Sequence, residues 1–310
     1  MINLRLSDLA QILNGTLVGD PTAEVSGTVE TDSKLISAGG LFFARPGEVT
    51  DGHNFVGDAL ARGAIAAVVQ RQLPETINQI VVKNSEEALG VLASWLAGEL
   101  KSKGKLKVVG ITGSNGKTTT KNMLREILSR VGPTIAPIES FNNRVGAPIS
   151  ILGADEKTEF LVVEMGAEGI GSIEYLAKMA NPDIGIILKV GLAHVGEFGG
   201  IDVTAKIKSE LASSLHPGAK VVLNVDDSYV RDMQQVTKAE VSWFGTSTEA
   251  SYRASNVTTM VDGTSYTMHW PDGDEQTIRL NILGDVHIMN ALAASCAAHL
   301  LGVSKQIIAE

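Results

Sequence analysis

The chain has 310 residues, with 26 Lys and Arg against 35 Asp and Glu and a formal charge of −9 at pH 7. Its 44% hydrophobic and 20% charged residues are those of a soluble globular protein long enough for two domains, and an acidic balance without a basic cluster argues against nucleic acid as a partner. The single cysteine, Cys296, excludes an intrachain disulfide; with no secretory h-region and no run approaching about 18 apolar residues, a cytoplasmic protein without membrane insertion is expected, and a monomer is expected besides.

Ser7 reads as the cap of a short amphipathic helix, Ser7–Leu13, ending near Asn14-Gly15. Short strands lead to Thr31-Asp32-Ser33-Lys34, to Gly39-Gly40-Leu41-Phe42-Phe43 and to the polar loop Asp51-Gly52-His53. Ala59–Ala64 ends a helix, Ala66–Val69 and Ile80–Val82 read as strands, and a helix runs from about Ser85 to Lys101. The charged, glycine-containing stretch Lys101–Lys105 marks a boundary, giving domains of residues 1–104 and 105–310.

The stretch Leu106–Thr120, LKVVGITGSNGKTTT, organises the second of these domains. A β-branched run (Val108, Val109, Ile111) predicts a buried parallel strand. It breaks at Gly113, Ser114, Asn115 and Gly116, and Lys117-Thr118-Thr119 open a helix with apolar positions Met123, Leu124, Ile127, Leu128 and Val131. A strand, a glycine turn and a helix N-terminus together bring backbone N–H groups and the helix dipole to bear on a phosphate. Lys117 can reach the outer phosphates and Thr118 can join a Mg²⁺ shell. The spacing is the short T-G-x-x-G-K-T-T form, because Ile111 stands where the longer pattern has its first glycine. This loop is expected to bind a nucleoside triphosphate.

Strand-like runs then recur at Phe160–Val163, Ile184–Leu188 and Lys220–Leu223, with helices near Ser172–Ala180 and Val203–Leu215. The alternation predicts an α/β fold, a mostly parallel sheet with ligands at the C-terminal ends of its strands. From Ser251 to Leu283 short alternating strands with turns at Asp262-Gly263 and Asp272-Gly273 predict a small antiparallel appendage. Next comes a helix from about His287 to Leu301, in which Cys296 sits among alanines as a small buried residue.

Several residues just past these strands could carry chemistry. Glu164 ends FLVVE and could complete the metal shell begun by Thr118; a strand-end glutamate alone is more often a cap or a surface charge, but the glycine loop upstream favours the metal. His194, in VGLAH, reads by spacing alone as a structural histidine, since imidazole is not a preferred Mg²⁺ ligand. Lys206 and Lys208 lie on nearly opposite faces of one helix. Lys208, flanked by Ala205 and Leu211, points inward, while Lys206 joins the polar Asp202 and Ser209. Burial favours the neutral amine, which can add carbon dioxide to become a carbamate; a lysine extended to solvent is the simpler alternative. Asn142-Asn143 is either a pair of substrate-reading amides or a turn. Gly166–Gly171 is glycine-rich but not a dinucleotide fingerprint.

Taken together these segments resemble the Mur ligases, ATP-dependent enzymes that build the peptide of the bacterial cell-wall precursor. TGSNGKTTT, FNNRVGAP, VVEMGAEGIGSI, GLAHVGEFGG, AKIKSEL, LNVDD and NALAA are similar to the family's central motifs, and TDSK, GGLFFARPG and DGHNFVGDALARGA to its uridine-nucleotide segments. The resemblance implies an N-terminal α/β substrate domain (1–104) that binds the UDP precursor and a central ATP-binding P-loop domain (105–310). It implies that Gly113, Ser114, Asn115, Gly116, Lys117, Thr118, Thr119 and Asn290 hold ATP, and that Thr118 and Glu164 hold one Mg²⁺. Glu164, His194 and a carbamylated Lys208 would hold a second, and Thr31, Ser33, Asn142 and Asn143 would face the UDP-muramoyl peptide. With Lys117, Lys208, His194 and Glu164 as the catalytic set, the implied reaction joins D-alanyl-D-alanine to UDP-N-acetylmuramoyl-tripeptide through an acyl phosphate. A sibling Mur ligase, a folyl-polyglutamate synthetase-like ligase and a nucleotide-binding fragment or switch without turnover are the alternatives.

Four departures stand out. Lys189 replaces a usual asparagine, Lys34 a usual arginine, and Val286-His287 a usual histidine-asparagine pair. The family also continues past the position of Glu310 into a third domain with ribose, γ-phosphate and amine contacts, so these residues by themselves are expected to bind without turnover.

Overall fold

Burial on both faces decides the architecture. The strand β8 (Lys107–Thr112), whose residues Val108–Thr112 are all buried, needs cover on each side, and the chain supplies it by returning through helices. The computed structural model describes residues 2–47, 50–137, 140–191 and 199–310. It divides into two units, Met1–Gly104 with Arg144–Lys157, and Lys105–Asn143 with Thr158–Glu310.

In the first unit a two-stranded antiparallel pair, β1 (Leu4–Arg5) and β3 (Glu24–Val25), accompanies a five-stranded sheet. That sheet runs β2 (Thr16–Val18), β7 (Asn78–Val81), β6 (Ala66–Val69), β5 (Leu41–Phe43), β4 (Val29–Glu30), parallel except at β2–β7. Phe42, Val56, Ala67 and Val69 are buried together in its core, with α2 (Val56–Ala61) on one face. The long helix α3 (Ser85–Ser102) starts where the Asn84 side chain accepts the N–H groups of Glu86 and Glu87, and it buries Leu89, Leu92, Leu96 and Leu100. The first helix, α1 (Leu6–Ile12), begins one residue before the expected Ser7 cap. The carbonyls of Ala23 and Pro21 accept the N–H groups of Leu6 and Ser7, so the first turn has no need of a serine cap.

The sequence leads one to expect a continuous second domain over 105–310; in the structure residues 144–157 group with the first unit. They carry α5 (Gly146–Leu152), which packs on α3 and buries Ala147, Ile151 and Leu152. Two apolar helix faces meeting away from water account for the excursion.

The second unit is built on one nine-stranded sheet. Its order is β16 (Glu275–Leu280), β15 (Gly263–His269), β14 (Tyr252–Met260), β13 (Glu240–Gly245), β12 (Lys220–Asn224), β11 (Ile184–Ile187), β8, β10 (Phe160–Glu164), β9 (Thr134–Ile135). From β9 to β14 neighbours are parallel, and β14–β16 turn antiparallel at one edge, joined to the rest by the pairing of Phe244 with Tyr252. Since β8 has β10 on one side and β11 on the other, the chain order reverses at its end, the place where such sheets open a ligand crevice. The helix α4 (Lys117–Ser129) leaves that crevice and packs on β10 and on α9 (Val286–Leu300). Small residues let α9 lie close: Ala291, Ala293, Ala294, Cys296, Ala297 and Ala298 are all buried. The helices α6 (Ser172–Ala180) and α7 (Ile201–Ser214) pack on one another; α8 (Ser228–Asp232) and α10 (Lys305–Ala309) are short. No helix among the described residues is long and apolar enough to cross a membrane.

Candidate active site

Strand β8 hands the chain to α4 through Gly113–Gly116. The loop is held from both neighbours: Thr112 Oγ1 donates to the Met165 carbonyl at 2.9 Å, and the Ser114 N–H to the Lys189 carbonyl at 2.8 Å. Gly116, the residue before α4, has φ +87°, a left-handed conformation that favours glycine. A Cβ there would also lie 2.2 Å from Asn290 Oδ1, so the Asn290 side chain on α9 reaches the loop. Lys117 Nζ folds back over the turn and donates to the Gly113 carbonyl at 2.9 Å. Burial lowers its pKa from the usual lysine value, opposed by the Glu164 charge.

Glu164 is the centre of a convergent set of donors. Only 2% exposed at the end of β10, it accepts the Thr118 hydroxyl on Oε2 at 2.9 Å and, on Oε1, the Ser140 hydroxyl and Asn142 amide, each at 2.9 Å. Lys121 Nζ stands 3.6 Å from Oε2. Burial raises the pKa of this carboxyl, but the hydrogen bonds from Asn142, Ser140 and Thr118, then the Lys121 charge, more than offset it, leaving a net lowering. Asn142 thus serves the carboxylate, and its backbone carbonyl accepts the Gly166 N–H at 2.7 Å. Gly166 allows this approach, since a Cβ there would come within 2.8 Å of Asn142 Oδ1. Asn143 is exposed beside it.

Lys208 lies inward on α7, 3% exposed, whereas Lys206 is exposed. Burial, with the nearby Lys117 charge, lowers its pKa to about 8. Two residues on, Glu210 accepts the N–H groups of Gly171, Ile173 and Glu174 at 2.6, 3.1 and 3.1 Å, which caps α6 from α7. His194 lies outside the described residues.

Beside the loop opens a cavity of about 390 Å³, lined among others by Asn115, Lys189, Asp226, Asp227, Phe244 and Asn290. Its acids hold neighbouring turns. Asp226 accepts from the Thr246 N–H and hydroxyl at 2.6 and 2.8 Å, and Asp227 from the Val190 and Val230 N–H groups at 3.0 and 3.1 Å. In the first unit a separate cavity of about 500 Å³ is lined by Thr31, Ser33, Lys34, Phe55, Asp58 and Arg62 among others. Of the predicted residues, Gly116, Lys117, Thr118, Glu164, Asn142 and Asn290 are linked by the contacts above, whereas Thr31 and Ser33 lie in the other unit.

The oxygens of Thr118 and Glu164 are hard donors, fit for Mg²⁺, which usually takes one or two protein ligands and completes its shell with water and phosphate. No group of three or more His, Cys, Asp and Glu gathers among the described residues. Sequence reasoning missed Ser140 and Lys121, both of which meet Glu164; Lys121 is the charged one. Its spacing of three and four from Thr118 and Lys117 places it on their helix face, a signal hidden among the polar positions of α4.

The sequence matches the Mur ligase middle domain over residues 111–298 and the Mur ligase family catalytic domain over residues 27–97. It is 34% identical to the UDP-N-acetylmuramoyl-tripeptide–D-alanyl-D-alanine ligase of Mycobacterium tuberculosis over 100% of this chain and 65% of that protein. The fold superposes on a crystal structure of MurF from Acinetobacter baumannii with a TM-score of 0.91 and 32% identity, covering 100% of this chain and 67% of the other. MurF ligase from Thermotoga maritima, in complex with ADP, is similar at a TM-score of 0.80 and 28% identity, over 92% of this chain and 66% of that one. The chain thus spans about 65% of the length of the curated relative it matches.

Proposed function

The chain belongs to the Mur ligase family, and on that premise we propose that it carries the ATP and UDP-precursor sites of an ATP-dependent amide ligase. The substrates assigned are UDP-N-acetylmuramoyl-tripeptide and D-alanyl-D-alanine, after the relatives bearing that name. The location assigned is the cytoplasm. The observation that carries the reading is the 2.9 Å contact of Thr118 with Glu164, which joins the phosphate loop to the end of the next strand.

Two anions must meet in such a reaction. A terminal carboxylate oxygen of the tripeptide attacks the γ-phosphorus of ATP, the bond from that phosphorus to the β,γ-bridging oxygen breaks, and its electron pair leaves with ADP. The D-alanyl-D-alanine amine then attacks the acyl carbon, inorganic phosphate departs, and the nitrogen loses a proton to give the amide. Lys117 and the N-terminus of α4 carry positive charge to the phosphates. Asn290 lies against the loop for the nucleotide, and Thr31 and Ser33 are assigned to the UDP precursor. Thr118 and Glu164 are assigned to one Mg²⁺, and Glu164, His194 and carbamylated Lys208 to a second. Magnesium supplies charge that offsets the repulsion between carboxylate and triphosphate. Burial of Lys208, which lowers its pKa to about 8, raises the share of the neutral amine that a carbamate requires.

The test is calorimetry of the chain with a non-hydrolysable ATP analogue and with UDP-muramoyl tripeptide, and then, in the whole protein, phosphate release with different amines. Both ligands should bind, and D-alanyl-D-alanine rather than a diamino acid or glutamate should stimulate release. Binding of neither ligand would remove the assignment.

A further inference from the structure

We propose that Lys121 is a positioning residue for Glu164, a resident cation that holds this carboxylate in place and competes with a divalent ion for its Oε2. The inference rests on the reading of Glu164 as a magnesium ligand and adds a rule for how the metal enters.

Lys117, Thr118 and Lys121 fall on one face of α4, and the Lys121 and Glu164 side chains are each only 1% exposed. A buried carboxylate without a counter-charge is costly even when it is hydrogen-bonded. Here the neutral donors divide unevenly. Ser140 and Asn142 both serve Oε1, while Oε2 has the Thr118 hydroxyl at 2.9 Å and the Lys121 ammonium at 3.6 Å. The oxygen shared with Thr118 is therefore also the one that faces Lys121. An ion taken up between Thr118 and Glu164 arrives next to a buried ammonium, and two cations in one low-dielectric site repel. Triphosphate brings negative charge enough to accommodate both. Lys121 thereby disfavours free Mg²⁺ and couples entry of the metal to entry of the nucleotide.

The experiment titrates MgCl₂ alone, and a non-hydrolysable ATP analogue with MgCl₂, into the wild-type chain and the Lys121→Met and Lys121→Arg variants by calorimetry. Lys121→Met should bind free Mg²⁺ at least about tenfold more tightly than wild type, as expected when a like charge within about 4–6 Å is removed. Lys121→Arg, which keeps the charge, should stay near wild type. In a Glu164→Gln background the gain from Lys121→Met should vanish. If Lys121→Met is too unstable to titrate, Lys121→Gln replaces it, and a larger rise in Tm on adding Mg²⁺ than in wild type is the equivalent reading. Unchanged or weaker Mg²⁺ affinity, or a gain that persists without Glu164, overturns the proposal. Failure of the wild type to bind the nucleotide analogue at all would instead remove the reading of the site on which it stands. A merely structural lysine would alter stability while leaving the Mg²⁺ midpoint where it was.

Discussion

The carboxylate of Glu210, on the helix that bears Lys208, receives the backbone N–H of Gly171 at 2.6 Å. With Ile173 and Glu174 on its other oxygen, it closes the N-terminus of α6, whose preceding residue is a glycine with no side chain to do so. Glu210→Ala should cost about 1–2 kcal/mol, the usual range for a lost cap, and Glu210→Gln, which keeps one acceptor, should cost less. Chemical denaturation of the two variants beside wild type checks the order; equal stability of all three would contradict the capping role.

At Gly116 two obstacles coincide, a φ of +87° and the Asn290 oxygen 2.2 Å from a prospective Cβ. Gly116→Ala should therefore lose roughly 1–3 kcal/mol of stability from backbone strain alone. It should also lose the ATP analogue, because Asn290 must move. Denaturation midpoints and calorimetry report the two effects separately.

Lys117 Nζ is already held at the Gly113 carbonyl of the loop. Replacing it by alanine should reduce affinity for the ATP analogue on the order of 100-fold, the scale for removing one preorganised charge-stabilising donor. It should abolish ligation in the whole protein. Near wild-type turnover would refute the assignment.

For Lys208 the decisive measurements are chemical. Growth of a carbon-13 carbamate signal in ¹³CO₂-equilibrated protein, absent from Lys208→Ala, is expected. Short carboxylic acids should restore part of the activity lost in that variant. Full activity of Lys208→Ala would reject the carbamate.

A pH effect is expected within the first unit. Burial, helped by the charge of Asp32, raises the Glu30 carboxyl from 4.5 to about 7. Between these values the folded state binds more protons at Glu30 than the unfolded, so the contribution of this group to stability is fully present below pH 4.5 and is lost as pH rises through 7. The loss on this account is on the order of 1–3 kcal/mol. Glu30→Gln should flatten that slope and be the more stable protein above pH 7. Urea midpoints from pH 5 to 8, roughly spanning the titration, read it out.

What could be read from the chain alone tracked local periodicity. The strand–glycine–helix of Lys107–Ser129 is written in adjacent residues, and the inward direction of Lys208 comes from the apolar residues three places on either side of it. Contacts across long separations were not legible. Lys121 looks like any polar position on α4 until Glu164, from a strand more than 40 residues on, is brought 3.6 Å away. Asn142 has turn and substrate readings of equal standing; the sequence carries no sign that its amide also donates to that carboxylate. Nor could Ser7 be excluded as a cap, because the carbonyls that replace it belong to Pro21 and Ala23.

The excursion of residues 144–157 bears on any attempt to divide the molecule. A piece cut at Gly104 would carry α5 without α3, leaving Ala147, Ile151 and Leu152 bare to water. Such a fragment is prone to stick to itself, whatever the merit of its own sheet. Replacing 144–157 by a short polar linker is the more promising way to isolate the nucleotide-binding half. The gene can be divided at one point, but the fold must be divided at three.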